Sequence, residues 1–498
     1  MLFQILLILL GLLICWFLIK PLIIMIKLKL QFGSTCKISF GIFGILGLSS
    51  TAIIEKMKKK SIPKTVKFIV HNYASTVQIL IIDPEYYQFM LNNHENYSQI
   101  NELNTSQLLD EGIMFQQGQK WKQQRELLIQ YFDLEKLKRN LPTINEIIQK
   151  NIKQYDQQND KIQTTLLKII SDILIQCFFG QDANKLLINK KCIGLETIDL
   201  FEALSKLSRK PYQLCKNILF GVQALKMFPN SEEQIIQTKI NNIKLTIEKI
   251  IQKRIVQHEL KLDEDENEIS QMSEDILNIY IQVYLQGKKG NNNRMSFEEI
   301  KQQYFTLFKI GSETSNQIIQ ASLHYLTEQP LIQTELRQEI QSICKTDIIQ
   351  FQELKSLVKL SAFLNEVLRF VNPIPIVRKV QTTHFIKDLK LKRNWIVMID
   401  YSVTNSNEKY YDNPKEFNYQ RWLQSETTKE NNNYVFIPFS NGPRYCVGQS
   451  LATMIYQIIL INILRNFEVN VNEKAKNNKQ VTFVLQNNCF KLSPIPQK

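Results

Sequence analysis

One short segment constrains this chain more than any other: Phe439-Ser440-Asn441-Gly442-Pro443-Arg444-Tyr445-Cys446-Val447-Gly448, which fits F-x-x-G-x-R-x-C-x-G. Each fixed position has a physical use. Gly442 and Pro443 make a tight loop, and Gly448 lets the backbone approach a large flat ligand. Cys446 stands at the entry to an apolar stretch, residues 447–464, that reads as a final helix. Amides at such an entry, with the positive end of the helix dipole, stabilise a thiolate. Arg444 offers a fixed cation for a carboxylate. A lone cysteine is ordinarily just a small buried hydrophobe. Five fixed residue types matching together arise by chance in well under roughly one window per million. The segment is therefore read as a site for thiolate chemistry.

The rest of the chain supplies a large frame. Length alone, 498 residues, suggests about two to four domains, yet no interior stretch reads as a Gly-, Ser- or Pro-rich linker. Hydrophobic residues make up 44%, enough for a large core. Residues 65–70 and 77–82 are β-branched runs that predict two strands. From about residue 84 to 287 the apolar period is helical, with long helices over 232–260 and 274–286. The acidic stretch 263–268 between them and the polar insert 287–294 read as solvated loops. Ser296 and Glu299 have capping-box spacing and open a helix reaching about residue 326. Another runs from Pro330 through residue 340, and one over 356–370 is stopped by Asn372-Pro373. Strand-like pieces follow at 378–380 and 395–399. The expected fold class is mainly α with small β-sheets (α+β).

At the N-terminus, residues 2–19 are apolar except Gln4, and the run resumes over 22–26 after Lys20-Pro21. A stretch of that length nearly spans a bilayer core of about 30 Å. Basic residues follow it, at Lys20, Lys27 and Lys29, instead of preceding it. That arrangement predicts a single transmembrane anchor over residues 1–28, with the body, residues 29–498, on the cytoplasmic side. The net charge of +14 includes the run Lys56-Met57-Lys58-Lys59-Lys60 just beyond the anchor. That placement suits a membrane surface or a redox partner; with no recognisable nucleic-acid motif, nucleic acid is not expected as a partner. The eight cysteines (Cys15, Cys36, Cys177, Cys192, Cys215, Cys344, Cys446, Cys489) form no C-x-x-C pair, which argues against structural zinc and a disulfide framework.

Further motifs carry chemistry. Trp121-Lys122-Gln123-Gln124-Arg125 sets an indole N–H and a guanidinium one helical turn apart, both donors for an anion. Gly311-Ser312-Glu313-Thr314-Ser315 lies mid-helix. There the Thr314 hydroxyl can bond the carbonyl of Ile310, four residues back, bend the helix and, with Gly311, open a groove. Glu366 and Arg369 are three apart on a predicted helix and can pair.

Taken with the cysteine segment, these motifs stand in an order that resembles the cytochrome P450 haem-thiolate monooxygenases along nearly the whole chain. The resemblance implies the cytochrome P450 fold behind a single transmembrane helix, and haem b (iron protoporphyrin IX) as cofactor. It implies Cys446 as the axial iron ligand, with Phe439, Gly442, Arg444 and Gly448 around it. Trp121, Arg125 and Arg378 are implied to meet the haem propionates. Glu313 and Thr314 are implied to deliver protons to bound oxygen. Glu366 and Arg369 are implied to join Arg421 in a structural cluster. This chain has Ile310 where the family usually has a small residue, and Tyr419 and Gln420 where it usually has Pro and Glu.

The activity so implied inserts one oxygen atom of O2 into a lipophilic substrate. Electrons are expected from a separate NADPH-cytochrome P450 reductase, with cytochrome b5 as an alternative donor, at the endoplasmic reticulum. A haem-thiolate isomerase or dehydratase acting on a peroxide, and a haem protein without turnover, are the competing classes. The acid–alcohol pair Glu313-Thr314 favours the monooxygenase over both.

Overall fold

The computed structural model describes residues 4–5, 11–12, 15–39, 65–73, 75–100, 105–110, 112–155, 161–180, 187–188, 190–262, 275–288, 295–371, 374–424, 433–471 and 490–495. The run at 56–60, the acidic stretch 263–268, most of the insert 287–294 and Asn372-Pro373 lie outside them. Two compact units emerge: Met1–Ile100 with Ser361–Cys446, and Asn101–Leu360 with Val447–Lys498.

The first unit is built on a six-stranded sheet in the order Cys36–Ser39, Phe68–Tyr73, Thr76–Ile81, Ile396–Ile399, Ile376–Val380, Tyr97–Gln99. The second and third strands form an antiparallel hairpin with Val70 opposite Ile79 and Tyr73 opposite Thr76. This pairing continues into the turn, so the second strand lies three residues later than the β-branched run alone predicts. Polar His71 and Asn72 are thereby buried, and the His71 ring is satisfied by Gln78 and by the Asn72 carbonyl at 2.8 Å. Ile396–Ile399 runs parallel to Thr76–Ile81 and antiparallel to Ile376–Val380, which sets Arg378 opposite Val397. Alternate apolar residues of these strands pack on Tyr86 and Tyr87 of the helix Pro84–Asn92. Asp83 caps that helix by accepting from the Glu85 amide at 3.0 Å, ahead of a proline in the first turn.

Near the N-terminus a helix covers Lys20–Phe32, again with proline in its first turn, and ends at Gly33 with φ +53°. Its Met25 and Leu28 belong to the sheet's core. The anchor boundary expected at residue 28 thus runs through a helix that packs on this unit. Much of the apolar stretch before it lies outside the described residues.

The second unit is helical. Ile162–Phe179 is long and apolar enough to cross a membrane, but 67% of it is buried inside the protein, which makes it a core helix. It packs against Leu134–Lys153, Ile193–Ser208 and the long helix Phe297–Glu328. The long helix opens with the capping box foreseen from sequence: Glu299 N donates to Ser296 Oγ at 3.1 Å and Ser296 N to the Glu299 carboxylate at 2.7 Å. At one close crossing Gly194 leaves no room for a side chain, since a Cβ there meets Ser171 Oγ at 2.1 Å. The helices expected over 232–260 and 274–286 are Ser231–Leu262 and Ile276–Lys288, each within two residues of its predicted span. The last helix, Gln449–Asn466, starts two residues later than predicted and packs on Leu134–Lys153 and Pro330–Ile343. A hairpin of Phe467–Val471 with Phe490–Pro494 follows it.

Candidate functional site

In the first unit the cysteine segment is a closed loop. Cys446 N donates to Phe439 O at 2.9 Å and Tyr445 N to Gly442 O at 3.0 Å. Gly442 has φ +73°, and a Cβ there would stand 2.8 Å from the Leu91 carbonyl oxygen, so glycine is required twice over. Ser440 also adopts a left-handed backbone, with φ +65°, and its amide donates to Ile437 O at 2.9 Å. Cys446, Phe439 and Arg444 are all half-buried. Gly448 follows as the N-cap of the last helix, and its carbonyl accepts from Ala452 N at 2.9 Å. Cys446 thus lies three residues ahead of the first helical residue, Gln449, rather than directly at its entry.

Arg378 and the buried Tyr401, a residue the motifs do not single out, are close enough to interact electrostatically. Arg378 donates to the carbonyl of Val377 at 2.9 Å. Burial pushes its guanidinium down to about 10, with the Tyr401 phenolate character opposing the shift. A half-buried guanidinium that donates to a main-chain carbonyl suits an incoming carboxylate.

The same unit holds the Glu366 cluster. Glu366 accepts from Arg369 Nε at 2.9 Å and Nη2 at 2.8 Å, from Arg421 Nε at 3.1 Å, and from the Asn418 amide at 2.9 Å. Trp422 Nε1 adds a donor at 2.8 Å, a partner that the motif did not include. Arg369 also donates to the carbonyls of Asn405, Pro414 and Glu416. These bonds tie the helix of Glu366 and Arg369 to residues 405–422.

The second unit carries the other predicted residues. Trp121 and Arg125 sit one turn apart on the helix Gly118–Tyr131, both buried, with the guanidinium 5.8 Å from the indole ring centre. On the long helix Phe297–Glu328, residues 300–306 and 318–323 are buried without exception. Ile310, Gly311, Glu313, Thr314, Asn316 and Gln317 between them are partly open. Thr314 Oγ1 donates to Ile310 O at 2.8 Å, the bond expected from the spacing, and Ser312 Oγ donates to Phe308 O at 2.7 Å. Glu313 accepts from Lys309 Nζ at 3.2 Å, and that ammonium also stands 5.2 Å from the Phe201 ring centre. Gly311 does not have the part expected of it. A Cβ there would meet Leu174 Cδ2 at 2.9 Å, so its missing side chain serves packing against Ile162–Phe179 rather than a groove.

Each unit by itself carries residue types that suit a haem: the first the Cys446 thiol at the end of a closed loop and the Arg378 guanidinium, the second the Trp121 indole and the Arg125 guanidinium. The comparisons agree. The family model described as Cytochrome P450 matches residues 42–494. A "Probable cytochrome P450 6a21" of Drosophila melanogaster is 24% identical over 72% of this chain and 70% of its own length. A "Cytokinin hydroxylase" of Arabidopsis thaliana is 23% identical over 82% and 77%. "Cytochrome P450 4V2" of Pongo abelii is 26% identical over 73% and 69%. Among solved structures, a retinoic acid-bound cyanobacterial CYP120A1 superposes with a TM-score of 0.71 at 18% identity, covering 92% of this chain and 99% of that one.

Proposed function

This chain belongs to the cytochrome P450 family of haem-thiolate monooxygenases, and on that premise we propose that it oxidises a lipophilic small molecule with electrons from a separate NADPH-cytochrome P450 reductase. The observation that carries the reading is the partly exposed middle of the helix Phe297–Glu328, where Thr314 bonds Ile310 O at 2.8 Å beside the Glu313 carboxyl. In this reading Cys446 holds the iron. Trp121, Arg125, Arg378 and Arg444 hold the propionates, while Phe439, Gly442 and Gly448 shape the loop around the ring. Bound haem b supplies dioxygen activation: two electrons and two protons are consumed, one oxygen atom enters a substrate C–H bond, and the other leaves as water.

The chain's own groups handle the protons. The Thr314 hydroxyl spends its hydrogen on Ile310 O, which leaves its lone pairs free to accept a hydrogen bond and so hold a proton donor, such as a water, in place. Glu313, tethered to Lys309, is the acid that reloads it from the solvent side. The bulk of Ile310 at the same turn narrows the approach of a substrate. Apolar residues 2–19 and the basic residues after them support a membrane anchor, with the body on the cytoplasmic face of the endoplasmic reticulum. The net charge of +14 supports docking of an acidic redox partner.

The test is reconstitution of the haem-loaded protein with an NADPH-cytochrome P450 reductase and a panel of lipophiles under isotopically labelled O2. Labelled oxygen in the product, with NADPH consumed in step, is the expected outcome. Turnover of an organic peroxide with no electron source, and no NADPH-dependent product, would instead assign the isomerase or dehydratase class.

A further inference from the structure

Lys309 carries a charge that its surroundings only half answer. It lies on the helix Phe297–Glu328, inside the partly exposed stretch that also holds Ile310, Glu313 and Thr314. Its side chain is 19% exposed, so the ammonium is largely shielded from solvent yet reachable. Such a group needs oxygen acceptors, because a charge shielded without them is costly.

Other lysines of this unit have two. Lys301, eight residues earlier on the same helix, pairs with Glu298 at 2.6 Å and with Glu248 of the helix Ser231–Leu262 at 2.7 Å. Lys168, which is more exposed, donates to Asp172 at 2.7 Å and to the Asn151 side-chain oxygen at 2.6 Å. Lys309 has one. Among the described residues its oxygen acceptor is Glu313 alone, one turn on, at 3.2 Å, longer than any of those four bonds. Its other neighbour is the ring of Phe201 on the helix Ile193–Ser208, with the ring centre 5.2 Å away. An ammonium has three N–H donors, so two remain unspent.

We propose that Lys309 is a specificity residue that takes the carboxylate of an acidic lipophile, whose apolar chain lies along the partly exposed turn of Ile310. This rests on the reading of that stretch as the oxidation site and names the substrate class it accepts. One further carboxylate reproduces at Lys309 the two acids and one ammonium already present at Lys301. A phosphate monoester, with a charge of about −1.5 to −2, would bring more negative charge than the ammonium neutralises beside Glu313. A neutral ester or alcohol brings an acceptor without a charge and gains less.

The test is binding of straight-chain saturated acids, from octanoic to octadecanoic, each beside its methyl ester, to the full-length haem-loaded protein at neutral pH. Binding is read by the haem spin shift and, independently of the haem, by equilibrium dialysis of labelled ligand. The variants are Lys309→Met and Lys309→Gln, which remove the charge, and Lys309→Arg, which keeps it. Haem content and the urea midpoint check that each is folded. The unmodified protein is expected to bind its best acid about ten-fold tighter than the matching ester, the worth of one charged hydrogen bond. Lys309→Met and Lys309→Gln are expected to lose that preference while ester affinity changes less than about two-fold, and Lys309→Arg to keep most of it.

A lysine that only supports the fold would weaken acid and ester alike when replaced, and that result overturns the proposal. So does a preference that survives loss of the charge, or an unmodified protein that binds no acid. The acid–ester comparison on the unmodified protein decides the matter even where a variant does not fold, since equal affinities overturn the proposal. Esters that shift the spin state with no preference for acids leave the oxidation reading standing. Ligands that bind by dialysis but shift the spin state at no chain length remove that reading, and the proposal falls with it.

Discussion

Glu366 and Arg369 face one another through two hydrogen bonds, at 2.9 and 2.8 Å, with both side chains at 1% exposure or less. Three residues apart on one helix, they form a side-on pair whose remaining capacity is taken up by Arg421, Trp422, the Asn418 amide and three main-chain carbonyls. Removing the acid strands two guanidinium groups in a dry interior. Glu366→Ala is therefore expected to cost about 3–5 kcal/mol of folding stability. Urea unfolding measures it, and a loss below about 1 kcal/mol would show that the cluster is not what holds this region.

Gly194 and Gly311 separate two kinds of close contact. A Cβ at Gly194 meets Ser171 Oγ at 2.1 Å and both Ile175 and Phe308 at 3.0 Å, on three sides at once. Gly194→Ala should destabilise by about 1–3 kcal/mol through overpacking. At Gly311 the obstruction is the end of one leucine side chain, Leu174, which can rotate away. There alanine gains about 1 kcal/mol of helix propensity, so Gly311→Ala should change stability by less than about 1 kcal/mol either way. Equal losses in the two variants would contradict this account of the helix crossings.

Thr314→Ala removes one side-chain bond to the Ile310 carbonyl from an intact helix. Such a bond competes with the helix rather than supporting it, so stability should change by less than about 1 kcal/mol. Coupling is expected to fall several-fold: NADPH is consumed, peroxide is released and little product forms. Product per NADPH is the quantity to measure, and an unchanged ratio removes Thr314 from the proton route.

His71 gives the fold an acid sensitivity. Burial lowers its pKa below the ordinary 6.5, with its hydrogen bonds to Asn72 O and Gln78 opposing the shift. Below about that value the unfolded chain takes up a proton that the folded chain refuses, so the stabilisation present above it is lost as pH falls through the folded pKa. Between about pH 8 and about pH 5, His71→Gln should lose less unfolding free energy than the unmodified protein. Parallel pH profiles for the two proteins would place the acid sensitivity elsewhere.

What the amino-acid order reveals here is whatever closes within a turn or two of chain. The Ser296–Glu299 box, the Thr314–Ile310 bond and the Glu366–Arg369 pair were each readable because helix geometry alone brings their ends together. Arg421 became legible only through family resemblance, since it reaches Glu366 from 55 positions away. Trp422 went unread, although a tryptophan N–H shielded from water usually finds an acceptor and this one directly follows Arg421. Gly311 misled because the neighbour that explains it, Leu174, lies on another helix.

The reduced carbon-monoxide difference spectrum of the purified haem protein, taken beside that of Cys446→Ala, bears most directly on the account. A band at the thiolate position in the first and its disappearance in the second are expected. A thiolate-type band that survives the loss of Cys446, or a nitrogen-type band in the unmodified protein, would contradict it.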